Sequence, residues 1–405
     1  MKVTTPSSDS VLITVTGPDT PGITAELTAA VAASGLPLKD LEQVVVQGQL
    51  ILAMVIGPEA EQSTRHPVLK DLLFKAKEMG LELSFKALNK QDSKKHLQKR
   101  FAVTAISDHL APHSIHVISK VLSDHKANIE TIRQLSRSSF GCVEFVMSLP
   151  KNSSAIQLKR DLVNATNELG IDMAVQKESL LRRGKRLIIM DMDSTLIQVE
   201  VIDEIADLVG VKKQVAHITE QAMAGELNFE ESLRARVKLL KGCPFNKLES
   251  LANHLPLTDG AEHMLGVLRT LGFKTGVISG GFQFAVQALK EKLGLDYAYA
   301  NTLEVEDGLL TGRVIDPIVS PQRKADLLDT IIQSENLSNH QTIAIGDGAN
   351  DMAMLERAGL GIAFHAKPKL KKAADTSLSR GGLDRILFLL GLHEKDVADI
   401  VSPSL

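Results

Sequence analysis

The sequence has no tryptophan and only two tyrosines among 405 residues, and all aromatic residues together make up 3%. Proteins that bind single-stranded nucleic acid stack bases on such side chains, so no nucleic acid partner is expected. Only two cysteines occur, Cys142 and Cys243, and they form no Cys-x-x-Cys pair. That excludes a disulfide framework and a thiolate metal site, and a reducing, cytoplasmic compartment is expected. Neither sign of charge dominates: 46 basic and 49 acidic residues leave a formal net charge of -3. Such a balance offers nothing to a polyanion or an acidic membrane surface. No stretch approaches the roughly 18 continuous apolar residues of a membrane span. The opening MKVTTPSSDSVLITVTG also lacks the apolar core of a signal peptide, so no membrane partner is expected.

The chain is too long for one ordinary hydrophobic core, so two to four domains are expected. Two basic, polar stretches, LNKQDSKKHLQKR (88–100) and KESLLRRGKR (177–186), read as solvated connectors. They divide the chain into 1–90, 100–178 and 185–405. The first two parts repeat one plan. VLITVTG alternates like a half-buried strand, ITAELTAAVAASG has helical spacing and a terminal glycine, and LEQVVVQGQLILAMVIG reads as two strands about Gly48. A second helix, HPVLKDLLFKAKEMG, and a last strand, LELSFKAL, complete a βαββαβ order. About ninety residues later the order recurs, from FAVTAIS to IDMAVQKE. This is the ferredoxin-like plan.

Between the first strand and helix of the first copy lies GPDTPGI, which resembles the turn of ACT domains, small modules that bind amino acids. Asp19 or Thr20 is expected to cap the helix, and Gly22 to let the backbone approach a ligand. Taken alone, the pattern reads better as a well-made strand-to-helix turn; the paired repeat ahead of an enzyme domain brings the regulatory reading level with it. The second copy has SDHLAPHSI instead and lacks the Asp-x-Pro-Gly pattern.

From Arg186 onward, short apolar runs (RLIIM, KTGVI, QTIAI, GIAF) alternate with helical segments, as in a parallel sheet buried on both faces. Residues 201–257 hold no such run and read as an inserted helical cap. TLEVEDGLLTGRVI carries an Asp-Gly turn between alternating runs, a hairpin signal. Ligands of open parallel sheets bind at the carboxyl ends of the strands. Four segments present polar groups there: Asp191-Met192-Asp193-Ser194-Thr195; Ser279-Gly280-Gly281; a basic loop, SPQRKADLL, with Lys324; and Gly346-Asp347-Gly348-Ala349-Asn350-Asp351. Asp191, Asp193 and Asp347 are expected to converge, and converging carboxylates need a hard cation, Mg²⁺. Ser279, the glycine amides and Lys324 are then donors for a phosphate. One aspartate can attack phosphorus while the other moves the proton. DxDxT alone is a weak signal, since it is also a capping loop, and Ser-Gly-Gly is usually a turn; GDGxND is stronger, its alternative being a calcium-like acidic loop. Their order and context together carry the reading. No GxxxxGK[ST] is present, which disfavours a P-loop enzyme.

Residues 186–390 resemble the haloacid dehalogenase superfamily, and within it the phosphoserine phosphatase family, on DMDST, the helical insertion, ISGGF, the lysine-bearing segment and GDGAND. The resemblance implies an α/β fold: a Rossmann-like parallel sheet with an inserted cap at about 200–257, preceded by the two ferredoxin-like, ACT-like domains. It implies Asp191 as nucleophile through an aspartyl-phosphate and Asp193 as general acid and base. Mg²⁺ would be held by Asp191, the Asp193 backbone carbonyl and Asp347. Phosphate would be bound by Ser279, Gly280 and Lys324, with Asn350 at the phosphate or water, and Asp351 orienting Lys324 or the metal shell. The family places a Glu and an Arg where Glu200 and Arg236 fall, to hold the ammonium and carboxylate of O-phospho-L-serine. Met223 and Phe229 would close the site against water. Without the resemblance, Glu200 reads as a helix-start acid, Arg236 as a solvated charge with Arg234 as its rival, and the two apolar residues as cap core.

The implied reaction is Mg²⁺-dependent hydrolysis of O-phospho-L-serine, the last step of L-serine biosynthesis. The alternatives are a related aspartate-nucleophile phosphatase or phosphotransferase acting on another small phosphomonoester, and an amino-acid sensor with a vestigial enzyme domain. The paired modules suggest an amino-acid effector such as L-serine, and a homodimer.

Overall fold

The computed structural model describes residues 10–57, 67–88, 99–136 and 140–401. Of the first expected connector, residues 89–98 lie outside the described residues, as does His66 at the head of the second expected helix. The chain divides into two compact units, Met1–Gln98 and Lys99–Leu405.

In the first unit, β1 (Ser10–Pro18), β2 (Leu38–Val46), β3 (Gln49–Ile56) and β4 (Glu82–Leu88) form an antiparallel sheet in the order β2-β3-β1-β4. Helices α1 (Ile23–Ala33) and α2 (Pro67–Glu78) complete the βαββαβ plan. The period-two alternation of β3 explains the packing: Leu50, Leu52, Met54 and Ile56 are buried against Leu27 and Val31 of α1 and Leu72 and Ala76 of α2. Ile51 faces the other way, paired in register with Val44, and both are exposed. The expected cap of α1 is not made. Gly22 itself is the cap residue, at φ +98°, and no side chain bonds the helix end. Asp19 instead closes the turn through its backbone N–H, which donates to the Gly48 carbonyl at 2.8 Å.

The second unit repeats the plan with β5 (Lys99–Ser107), α3 (Pro112–Asp124), β6 (Asn128–Ser136), β7 (Gly141–Leu149), α4 (Ala155–Thr166) and β8 (Asp172–Lys177). After a short helix α5 (Leu180–Arg183), the chain enters β9 (Leu187–Met190). The insertion follows as α6 (Val201–Leu208), α7 (Lys212–Ala224), α8 (Phe229–Lys238) and α9 (Phe245–Ala252). Then come α10 (Ala261–Thr270), β10 (Lys274–Phe282), α11 (Gln283–Leu293), and the hairpin β11 (Tyr297–Glu306) and β12 (Leu309–Ile315). The last elements that concern the site are α12 (Pro321–Ser334), β13 (Thr342–Gly346), α13 (Met352–Arg357), β14 (Gly361–Phe364) and β15 (Thr376–Leu378). In β9, Ile188 and Met190 enter one core and Leu187 and Ile189 another, so both faces of the parallel sheet are covered.

The second ferredoxin-like sheet does not stand apart from this parallel sheet. β15 meets β8 antiparallel at Thr376 and Ala174, giving eleven strands in the order β12-β11-β10-β9-β13-β14-β15-β8-β5-β7-β6. Thr376 Oγ1 also donates to the Met173 carbonyl at 3.0 Å, and the Ser379 N–H to Asp172 at 2.7 Å.

The second basic stretch is therefore not a solvated connector. Arg182 is 4% exposed and Lys185 3%. Arg182 pairs with Glu144 of β7 and donates to Glu178 at 2.9 Å. Lys185 donates to the Thr342 carbonyl at 3.1 Å, and burial pulls its pKa down to about 8. Arg182 and Lys185 turn inward because they reach partners far away in sequence, whereas Lys177, Arg183 and Arg186 of the same run stay exposed. Glu144→Ala removes one of the two carboxylates that Arg182 binds and leaves Glu178 as its partner. It is therefore expected to destabilise the protein by about 1–3 kcal/mol in denaturant unfolding. The double change Glu144→Leu with Arg182→Met is expected to recover most of that; no loss in the single variant would contradict the assignment.

Candidate active site

The first strand of the parallel sheet delivers the central carboxylate. The Asp191 N–H still bonds the Ile345 carbonyl of β13 at 2.9 Å, so its backbone is fixed as sheet. Its Oδ1 accepts from the Met192 N–H at 2.7 Å. The chain then enters a tight, irregular turn, Met192–Leu196, with Ser194 at φ +56°. That conformation is uncommon for a residue with a Cβ. Asp193 lies within this turn and faces the start of the insertion. Asp193 Oδ1 accepts the N–H of Val201, the first residue of α6, at 2.8 Å, and Oδ2 accepts from the Ser279 hydroxyl at 3.4 Å.

The β13 end supplies Asp347 and, one turn on, Asp351. The carboxylate oxygens that lie within 4.8 Å of one another belong to Asp191, Asp347 and Asp351. The expected trio had the Asp193 carboxylate in place of Asp351. Asp193 is absent from the cluster because its oxygens are committed to Val201 and Ser279. Lys324 ties the group together: its Nζ lies 2.8 Å from Asp191 Oδ2 and 2.7 Å from Asp351 Oδ1. It comes from the first turn of α12, not from a loop. Ser320 caps that helix and Pro321 starts it, and Lys324 is fully buried. Asn350 Nδ2 donates to Asp191 Oδ2 at 3.3 Å, and Thr195 Oγ1 to Asp347 Oδ1 at 3.3 Å.

Crowding sets the protonation pattern. Burial, then Glu200 and Asp191, push the Asp193 carboxyl well above its usual range. Burial and Asp191 push Asp351 in the same direction. Asp347 is raised to about 6 by burial, Asp191 and Glu200. Burial pulls the Lys324 ammonium down, but Asp191 and Asp351 more than offset this and leave it raised. Three carboxylates against one ammonium form a set of hard oxygen donors suited to a divalent cation.

A cavity of about 750 Å³ opens over these groups. Asp191, Asp193 and Asp347 form part of its lining, with Gly280 and Gly281 beside them. Lys324, Ser279 and Asp351 are fully buried and take no part in the lining. Gly280 has no room for a side chain, since a Cβ there would lie 2.9 Å from the Phe229 ring. On Gly281 a Cβ would lie 2.5 Å from Asp193 Oδ2. The Gly281 N–H donates to Ser279 Oγ at 2.8 Å.

The insertion provides the other wall, with Glu200, Met223, Phe229 and Arg236. Glu200 accepts from the Ser194 hydroxyl at 2.7 Å, and burial raises its pKa. The two arginines separate cleanly. Arg234 is outside the lining, where it binds Glu230 and Asp316. Arg236 lines the cavity, and its Nε donates to the Ser232 carbonyl at 3.3 Å. Phe229 is half-buried, whereas Met223 is 69% exposed at the mouth, so it does not seal the cavity in this conformation.

Several contributors carried no sequence signal. Asn301 is fully buried in β11; its Nδ2 donates to the Gly280 carbonyl at 2.8 Å and its Oδ1 accepts from the Val319 N–H at 2.7 Å. It pins the Ser-Gly-Gly segment, but no motif surrounds it. Lys367 and Lys369 join the cavity lining from beyond β14.

The raised Asp347 gives a signed expectation for the metal-free protein. Its folded-state value of about 6 lies above the roughly 3.9 of a free aspartate, so the ionised form penalises folding at neutral pH. That penalty is present in full above pH 6 and fades as pH falls toward 4. Asp347→Asn is therefore expected to raise the melting temperature in chelator at pH 7.5, with a smaller gain at pH 5. A gain that grows on acidification would contradict the assignment.

Three regions of the chain match family models. Residues 185–359 match the haloacid dehalogenase-like hydrolase family, and residues 9–86 and 101–176 each match an ACT domain family. A phosphoserine phosphatase of Mycobacterium tuberculosis is 38% identical over 97% of this chain and 95% of its own length. One from Streptomyces coelicolor is also 38% identical, over 96% and 93%. Among solved structures, a HAD family hydrolase from Salmonella enterica serovar Typhi is similar with a TM-score of 0.63 at 31% identity, covering 71% of this chain and 98% of that one. A probable phosphoserine phosphatase from Vibrio cholerae gives 0.57 at 35% identity, over 75% and 89%. With the aspartate cluster, the cap and both ACT domains matched along nearly its whole length, the chain belongs to the phosphoserine phosphatase family of haloacid dehalogenase-like hydrolases.

Proposed function

We propose that the protein hydrolyses O-phospho-L-serine to L-serine and phosphate, with Mg²⁺ as the cation. The observation that carries the substrate is the pairing of Glu200 and Arg236 in the same cavity as Asp191 and Asp193, while Arg234 is engaged elsewhere. A carboxylate and a guanidinium are the groups needed by a substrate with an ammonium and a carboxylate beside its phosphate. The names and near-complete coverage of the relatives support the same reading.

In this mechanism an Asp191 carboxylate oxygen attacks phosphorus, and the bond from phosphorus to the serine oxygen breaks. The high pKa of Asp193 keeps it protonated, so it delivers its proton to the leaving serine oxygen. Asp193 then takes a proton from water as the water oxygen attacks the aspartyl-phosphate, and Asp191 is released as a carboxylate. Lys324 and Asn350 hold the nucleophile in one orientation throughout. Asp191, Asp347 and the Asp193 backbone carbonyl would hold Mg²⁺, which when bound neutralises phosphoryl charge. Asp351 acts through Lys324. Gly280 borders the phosphate from the cavity wall, and Ser279 and Lys324, buried directly behind that wall, would reach the phosphate only with a local shift, with Asn301 setting the loop. Phe229 and Met223 limit water access once the cap moves inward.

For the ACT domains we infer binding of an amino-acid effector such as L-serine at the first module, near Asp19 and Gly22. We also infer a homodimer, supported by the exposed apolar face of Val44, Val46 and Ile51. Among the described residues no helix is long and apolar enough to cross a membrane, and we infer a cytoplasmic enzyme from the cysteine usage.

Arg236→Ala is expected to lower kcat/KM for O-phospho-L-serine by about 10- to 100-fold, the range of a charge-assisted hydrogen bond pair. Turnover of p-nitrophenyl phosphate, which has no carboxylate, should change far less, and Arg234→Ala should resemble the parent. Equal losses on both substrates would sink the substrate assignment. L-Serine is expected to alter kcat as well as compete at the catalytic site, and Gly22→Val to remove only the former. Purely competitive inhibition of the parent protein would contradict effector binding.

A further inference from the structure

The two ACT domains present their first turns differently. In the first, a Cβ built on Gly22 would meet nothing within 4 Å. In the second, the turn after β5 is taken up by the chain's own C-terminal region. Asp108 accepts from Arg385 Nη2 at 2.7 Å and lies 3.9 Å from Arg380 Nη1. The Arg385 side chain is 11% exposed, and its guanidinium carbon sits 4.6 Å from the centre of the Phe140 ring. Phe140 in turn meets Phe388 edge-on at 5.0 Å. Only glycine permits this at position 381, because a Cβ there would lie 2.0 Å from Arg385 Nε.

Arg385 is anchored at one end by the ACT domain and at the other by the segment that supports the catalytic turn. It closes a short helical turn, Leu383–Arg385, whose first N–H donates to the Asp259 carbonyl at 2.8 Å. The neighbouring Thr258 makes two bonds to the turn after β9. Its hydroxyl donates to the Thr195 carbonyl at 2.7 Å, and its N–H to the Leu196 carbonyl at 2.9 Å. Thr195 then donates to Asp347. The Met192–Leu196 turn includes Ser194 at positive φ, a conformation that persists only where surroundings enforce it. Thr258 is one of those surroundings, and Asp259 beside it is held by the Leu383 turn.

We propose that Arg385, clamped by Asp108, is a positioning residue for the catalytic turn, so that the second ACT domain serves as a buttress of the active site. Its first turn is spent on this contact and is not a ligand pocket. The inference rests on the reading of the Asp191 turn and Asp347 as the catalytic centre.

The bland alternative is a partly exposed ion pair with little effect, as most such pairs are. Asp108 is 46% exposed at its side chain, so Asp108→Ala should fold even where an Arg385 variant does not. In the full chain, Asp108→Ala is expected to lower kcat by about three- to thirty-fold, with KM for O-phospho-L-serine changing less than about two-fold. Amide exchange of residues 192–198, measured in chelator, should speed up in the same variant. Asp108→Ala with Thr258→Val should be no slower than the slower single variant, since both act on one support. Unchanged kcat, unchanged exchange at 192–198, or multiplying losses in the double variant would each overturn the proposal. Asp347→Asn separates the two readings. If it stays active, the catalytic centre is wrongly assigned; if it is inactive while Asp108→Ala matches the parent, only the buttress is wrong.

Discussion

One buried ammonium permits the rest of the site to exist. Asp191, Asp347 and Asp351 bring their oxygens within 4.8 Å, and the Lys324 Nζ touches two of the three. Each buried ion would be penalised by several kcal/mol without a partner. Three carboxylates and one ammonium still leave two negative charges if all are ionised, the charge a divalent cation supplies. Until one binds, the strain shows as raised pKa values at Asp347 and Asp351. The parallel sheet answers this constraint by fixing the positions: β9 holds Asp191, β13 leads to Asp347, and α12 carries Lys324 inward beside them.

Given that arrangement, the division of labour between Asp191 and Asp193 follows from two residues of spacing and one unusual backbone conformation. Asp191 remains bonded to Lys324 and Asn350. Asp193 is turned toward the cap and away from Lys324, where burial and its acidic neighbours favour the proton. The cap begins at that same residue, since Asp193 bonds the first N–H of α6. The start of the cap is thereby tied to Asp193, the proposed proton carrier, while Glu200 and Arg236 line the same cavity for the proposed contacts to the rest of the substrate.

Much of this was legible because it is local. The apolar runs ending in DMDST, ISGG and GDGAND were recognisable as strands with polar ends, and the βαββαβ repeat followed from periodicity. What failed was nonlocal or was misread at short range. Ser320-Pro321 is a helix start, yet the segment read as a loop because its basic residues suggested exposure. Arg182 and Lys185 looked solvated because a charge run does not reveal partners as distant as Glu144 or Thr342. Asp351 joins Asp191 and Asp347 in the carboxylate cluster, while the Asp193 carboxylate bonds Val201 and Ser279 and lines the same cavity; those side-chain directions are not encoded in residue spacing. Asn301 and the Asp108–Arg385 contact belong to no motif at all.

The ACT domains thus differ in standing. The first belongs to a separate compact unit with an open turn, whereas the second is built into the sheet of the phosphatase. The proposed mechanism reduces to one covalent bond, from an Asp191 oxygen to phosphorus. The direct measurement is acid-quenched turnover of O-phospho-L-serine carrying a labelled phosphoryl group, followed by mapping of the labelled peptide. The account predicts transient label on the peptide containing Asp191 and none in Asp191→Asn; label on another residue, or full turnover by Asp191→Asn, would contradict it.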